Sequence, residues 1–207
     1  MSKNFQFSIF NFQKKGFTLI ETLVAITILT LAISGSFFTA NNALVVASIA
    51  RDQLTASHLA QEGIEYVRMM RDDAYLNAYK DGMSDISSAA WNDFLDGSSA
   101  WSITECRTTT CTLDPSRQMG IQHGSGNVLS LHPCSISGSP SCDPLRLMNN
   151  AYIEDSSNSA GVVTPFTRTV QAVDISPNDE RIVSIVMWNF HNASHSITIT
   201  DHLTPWQ

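Results

Sequence analysis

The chain is expected to be an α+β protein. A long N-terminal helix, transmembrane in its first half, packs in its second half on a C-terminal antiparallel sheet, with a loop-rich insertion between them. Three observations predict this. Residues 17–50 hold one charge, Glu21. Residues 51–80 place apolar residues three or four apart, the helical period. Residues 166–203 switch to short β-rich runs separated by turn signals.

The apolar run comes first. Its 34 residues, Phe17 to Ala50, would make a helix of about 51 Å at ~1.5 Å per residue. A bilayer core needs only about 20 residues, so the run is long enough to cross one and continue. Leu19 to Phe38 is its most apolar window, and Thr39, Asn41, Asn42 and Ser48 bring polarity back afterwards. Glu21 is out of place there: a carboxylate at the centre of a membrane helix costs roughly 2.5–3.5 kcal/mol, and less near an end. It either sits among headgroups or has a cationic partner. Cutting the chain after Gly16 would create one, the Phe17 ammonium, available to the Glu21 of a neighbouring copy inside a helical bundle.

Residues 51–80 continue the helix. Ala56, Ala60, Ile64, Val67, Met70 and Ala74 form one apolar stripe, with Glu62, Glu65, Arg68, Arg71 and Asp72 largely off it. Gly63 weakens the helix by about 1 kcal/mol relative to Ala without ending it. No proline interrupts residues 17–80; Gly35 and Ser36 supply softness instead.

Residues 81–165 are dominated by Ser, Gly, Asp, Asn and Pro. Asp81-Gly82, Asp96-Gly97, Gly124-Ser125-Gly126 and Ser137-Gly138-Ser139-Pro140 are turn chemistry. Trp101–Thr104 and Val128–Leu131 are the candidate edge strands. A loop of this length is rare in a compact domain unless it is stapled. Cys106, Cys111, Cys134 and Cys142 all fall here. Four cysteines allow three pairings. Cys106 with Cys111 and Cys134 with Cys142 is the expected one, because both close short loops. A zinc site is the rival, although the spacings are not those of ribbons or fingers.

Residues 166–207 read as a meander: a strand over Phe166–Ile175, a turn at Ser176–Asp179, a strand over Arg181–Phe190, a turn at His191–Ser194, and a strand over Ser196–Thr200 with Ile197 and Ile199 inward. The middle strand is apolar on both faces, as a central strand is.

Net charge is −7, and without the three lysines of residues 1–16 it is −10, which argues against a nucleic-acid surface. Lys14 and Lys15 precede the apolar run and acids follow it, so the positive-inside rule places the N-terminus in the cytoplasm and the domain outside. The disulfide expectation suits such an exported domain. An ordinary signal peptide also begins with basic residues and an apolar core, but its core is shorter and its cut comes after it.

Lys14-Lys15-Gly16 followed by Phe17-Thr18-Leu19-Ile20-Glu21 and the apolar helix resembles the processing site of type IV prepilins and type II secretion pseudopilins. The strong likeness covers residues 14 to about 45. Weaker likeness continues through Ala60–Tyr66 and returns in the last strands, whose ending Leu203-Thr204-x-Trp206 is similar to minor pilins and the pseudopilin I class. The resemblance implies a pilin-like fold and a leader of residues 1–16 ending at Gly16, with the basic pair Lys14 and Lys15. Phe17 would be the N-methylated first mature residue and Glu21 the acidic assembly position. It implies a transmembrane and assembly helix over 17–44, a second half packed on the domain over 45–80, a variable stapled region over 81–165, and the sheet over 166–207. The implied partners are other pilin or pseudopilin subunits, a prepilin peptidase and methyltransferase, an inner-membrane assembly platform and membrane lipid, with no cofactor. The function expected is that of a structural, minor subunit of a pilus or pseudopilus. The alternative is a membrane-anchored extracytoplasmic binding or adhesion module that does not polymerise. Some relatives carry a proline near the position of Phe38, and this chain does not. The apolar leader residues Phe5, Phe7, Ile9, Phe10 and Phe12 have no physical account.

Other clusters favour bland readings. His58 and Glu62 lie one turn apart and are expected to be solvated. His191 and His195 flank a hairpin turn. Asp174, Asn178, Asp179 and Glu180 offer oxygens suited to calcium, but no EF-hand spacing, and Pro177 already explains a turn. Asn192-Ala193-Ser194 is a sequon by pattern alone. No Ser/His/Asp arrangement, Walker loop, GxGxxG or HExxH supports a tethered hydrolase.

Overall fold

The computed structural model describes residues 16, 18–97, 102–113, 131–136, 138–154 and 161–206. The chain divides into two compact units, residues 1–48 and residues 49–207. Helix α1, Leu19–Lys80, belongs to both.

In the first unit every described residue from Leu19 to Asn42 is exposed, including Leu19, Ile20, Leu23, Ile26, Leu31, Ile33, Phe37 and Phe38. A helix apolar all round has no stable place in water; it belongs in lipid or in a bundle. This one contains a window of mean hydropathy 2.0, long and apolar enough to cross a membrane. Its hydroxyls are satisfied internally. Thr22 donates to Leu19 O (2.8 Å), Thr27 to Val24 O (2.8 Å) and Thr30 to Thr27 O (2.9 Å). Ser34 donates to Leu31 O (3.0 Å), Ser36 to Ala32 O (2.7 Å) and Thr39 to Ser36 O (2.9 Å). None of the six needs water or a neighbour.

In the second unit α1 becomes one-sided. Ala56, Leu59, Ala60, Gly63, Ile64, Tyr66, Val67, Met70, Ala74 and Ala78 are buried, the predicted stripe with its flanks. Against it lies a five-stranded antiparallel sheet of order β2-β1-β6-β7-β8: β1 Thr110–Leu113, β2 Leu131–Cys134, β6 Thr167–Ser176, β7 Asp179–Phe190 and β8 Ala193–Leu203. A smaller sheet, β4-β3-β5, joins β3 Arg146–Met148, β4 Ala151–Ile153 and β5 Val162–Val163. β7 alternates between fully and partly buried side chains, with Ile182, Ser184, Val186 and Trp188 on the covered face. The β6–β7 connection is Pro177-Asn178, and the β7–β8 turn places His191 and Asn192 at φ 50° and 65°, as a tight two-residue hairpin requires.

Two apolar clusters fill the interface. Ala56, Leu59 and Ala60 meet Leu145, Phe166, Val186 and Trp188. Further along, Ile64, Val67, Met70 and Ala74 meet Trp91, Phe94, Val170, Ile182 and Leu203. Arg68 then reaches Asp201 (2.6 Å) and Arg71 the carbonyl of Thr204 (3.3 Å). Residues 56–71 thus advance in step with 197–204, so this part of α1 runs parallel to β8.

The insertion is more regular than expected. Residues 86–96 form helix α2, Ile86–Asp96, which buries Ala90, Trp91, Phe94 and Leu95. Asp85 caps it, its side chain accepting from the Ser88 N–H at 3.2 Å. The expected edge strand at 101–104 is corrected: Thr104 begins the short helix α3, Thr104–Thr108, and Ile103 is buried just before it. Ser102 holds that start, accepting from the Thr104 N–H at 3.2 Å. Trp101 lies outside the described residues. Of the other expected strand, Leu131 stands in β2 and 128–130 lie outside the described residues.

Candidate functional site

The N-terminal segment is built as follows. Gly16 is exposed, and a Cβ placed on it would meet no atom within 4 Å. The carbonyl of Thr18 accepts from the N–H groups of Glu21 (3.1 Å) and Thr22 (3.2 Å), and its hydroxyl faces the Glu21 N–H at 3.4 Å. Thr18 therefore caps α1, and Glu21 stands in the first turn, where the helix dipole favours a carboxylate. Thr18-x-x-Glu21 is the capping-box pattern. That signal was in the sequence. Lys14, Lys15 and Phe17 lie outside the described residues.

The cysteines form two short-range pairs. Cys106 and Cys111 have sulfurs 1.96 Å apart, and Cys134 and Cys142 2.02 Å apart. The first ties α3 to β1. The second ties β2 to the turn after it, where Ser135 also bridges to Ser141.

Ion clusters around Arg168 and Arg107 hold the described part of the second unit together. Arg168 of β6 is fully buried. Its Nη1 donates to Glu62 Oε2 (2.6 Å) and Leu59 O (3.3 Å), and its Nη2 to Leu113 O (3.2 Å). Glu154 Oε2 lies 4.0 Å from Nη2 and accepts from the Leu113 N–H. One guanidinium thus joins α1, β1 and the chain after β4. Glu62 and His58 are both exposed, as expected, and the Glu62 carboxylate in addition meets Arg168. Arg107 gathers three acids: Glu180 at 3.1 Å, Asp96 at 2.9 Å and Asp174 at 3.2 Å. Burial pushes the Glu180 carboxyl up, and the Arg107 charge and hydrogen bond pull it part of the way back. Asp179 accepts from the His202 Nδ1–H at 2.8 Å. Of the residues weighed for calcium, Asp174 and Glu180 are engaged by Arg107 and Asp179 by His202, and no group of three His, Cys, Asp or Glu side chains placed to hold a metal ion is found among the described residues. His191 stacks on Phe190, with centroids 4.3 Å apart, and His195 on Trp188 at 5.4 Å.

Sequence reasoning missed Arg168 and Arg107. Arg168 had a signal: Phe166, Arg168, Val170 and Ala172 share one strand face, so an arginine there is either buried or out of place. Arg107 had none, since its three acids come from α2, β6 and β7.

Residues 11–37 match the family model described as the prokaryotic N-terminal methylation motif, the prepilin signal of type IV pilins and pseudopilins. No curated protein and no solved structure matches the chain. The matched stretch contains Lys14, Lys15, Gly16, Phe17 and Glu21 and runs into the exposed apolar half of α1. With the antiparallel sheet behind α1, the architecture is α+β and pilin-like.

Proposed function

We propose that this chain is a structural, minor subunit of a type IV pilus or a type II secretion-like pseudopilus. The observation that carries the reading is the continuity of the methylation motif at 11–37 with a helix whose apolar side chains have no cover of their own. The precursor spans the membrane once, N-terminus in the cytoplasm. A prepilin peptidase removes residues 1–16, and Phe17 becomes the methylated first residue. Residues 17–44 serve as anchor and assembly segment, and residues 45–80 carry the domain. Burial of apolar helix faces between subunits supplies cohesion. Glu21 paired with the Phe17 amine of a neighbour sets the register between them.

The test is intact-mass spectrometry of the protein from a membrane fraction. The expected mass begins at Phe17 with about 14 Da added for one methyl group. A chain still beginning at Met1 overturns the processing step. One beginning beyond residue 40 removes the anchor and overturns the whole reading.

A further inference from the structure

The two edges of the five-stranded sheet are built differently. At one edge, β2 is four residues long and contains Pro133, with Cys134 tied to Cys142. This is how edges are kept from pairing. At the other edge, β8 is eleven residues long and pairs with β7 through an unbroken register from Ala193 to Leu203. It contains no Lys, Arg, Pro, Gly or bulge. Its one carboxylate, Asp201, is turned toward Arg68. Among the described residues nothing pairs with its outer edge.

The geometry points to a second copy of this chain as the occupant of that edge, in an antiparallel β8–β8 pairing centred on Thr198. The strand is complementary to its own reverse. With Thr198 opposite Thr198, Ile197 faces Ile199 and His195 faces Asp201 on the helix side, each twice by symmetry. On the other side Ser196 faces Thr200, and Ser194 faces His202. Apolar meets apolar, hydroxyl meets hydroxyl, and a ring N–H meets a carboxylate, with no like charges opposed. A shift of the centre to Ile197 would set His195 against Ile199 and lose both His–Asp pairs. The contact is isologous and closed, so it stops at two copies.

A same-orientation stack of copies would instead have to join β8 to the blunted β2 edge. In the twofold pairing, residues 56–71 of α1, which run parallel to β8, run in opposite senses in the two copies. The contact therefore sets the two packed helix segments antiparallel to one another. It holds whether or not the chain polymerises.

The test uses the full chain in detergent, mixed as two differently tagged populations under mild oxidation. Directly opposed residues have Cα atoms about 4.5–5.5 Å apart, within disulfide reach. Thr198→Cys is expected to give a mixed-tag dimer. Ser196→Cys is expected to link to Thr200→Cys and not to itself, and Thr198→Lys to leave the chains monomeric in sedimentation with an unchanged circular dichroism spectrum. Absence of mixed-tag linking by Thr198→Cys overturns the proposal. So does self-linking of Ser196→Cys as fast as that of Thr198→Cys.

Discussion

A Cβ placed on Gly63 would sit 2.5 Å from the hydroxyl oxygen of Ser184, 3.3 Å from its Cβ and 3.4 Å from a methyl of Val170. At Gly63 α1 approaches β6 and β7 closely. The glycine looks like a defect in a helical pattern, but the sheet occupies the space its side chain would need. Gly63→Ala gains about 1 kcal/mol of helix propensity, yet is expected to destabilise the domain by a net ~1–3 kcal/mol through overpacking. Denaturant unfolding of the single variant and of Gly63→Ala with Ser184→Gly checks this. The second should recover most of the loss, and a neutral single variant would show that the sheet yields.

Arg168 and Glu62 are expected to differ sharply as mutation sites. Glu62 is partly exposed at 42%, so Glu62→Gln should cost within about 1 kcal/mol. Arg168→Ala strands the carbonyls of Leu59 and Leu113 in the interior and leaves Glu154 without its guanidinium, a loss of about 3–5 kcal/mol. Equal effects in thermal unfolding would mean that the exposed ion pair, and not the buried backbone contacts, sets the value of this arginine.

Glu180 gives a pH dependence of defined sign. Its carboxyl is raised in the folded state by burial, so the native protein holds this proton to higher pH than the unfolded chain does. This group's contribution to stability is greatest below the ordinary carboxylate range and falls as pH rises through that range toward its folded value. Glu180→Gln keeps an uncharged side chain at all pH and should remove that downward slope. Stability curves of both proteins from pH 3 to 7, run in parallel, show whether the difference between them changes in this direction.

The two cysteine pairs close loops of five and eight residues in sequence separation. Such short loops constrain the unfolded chain modestly, so replacing either pair by serines is expected to cost about 2 kcal/mol. The oxidised protein should be about 4 Da lighter than the reduced one. A mass unchanged by reduction would remove both bonds from the account.

Glu21→Ala separates a polymerising subunit from a plain anchor. On the proposed function the variant inserts and is processed, but filaments seen by electron microscopy fall to a few per cent of wild type or fewer. An anchor would tolerate the change or insert better, since an intramembrane carboxylate is costly. Thr18→Ser keeps the capping hydroxyl and should assemble normally.

The helix and the meander were legible because each is written in one period. The stripe from Ala56 to Ala74 and the alternation of β6 to β8 are local signals, and the hairpin turns sit where Pro177 and His191-Asn192 place them. Helix α2 was obscured by composition. Its four serines and aspartates on the surface read as loop, although Asp85 is a cap and Ala90, Trp91, Phe94 and Leu95 are one turn apart in two pairs. β1 and β5 are four and two residues long and get their order from partners farther along the chain, which no local pattern encodes, while β3 and β4 are three-residue strands joined by the tight turn at Asn149-Asn150. The Arg107 and Arg168 clusters are long-range for the same reason. In the N-terminal segment the motif was fully legible, and the capping role of Thr18 was visible in the same residues but masked by the more specific pattern around them.

The six hydroxyls of α1 that bond back to their own helix have a consequence for transfer between environments. Thr22, Thr27, Thr30, Ser34, Ser36 and Thr39 keep the same acceptors whether hydrocarbon or protein surrounds them. Nothing polar along this stretch has to change partners when the surroundings change. The helix is solvent-indifferent, and the balance between its two dry environments is left to the fit of apolar shapes and to the single charge at Glu21.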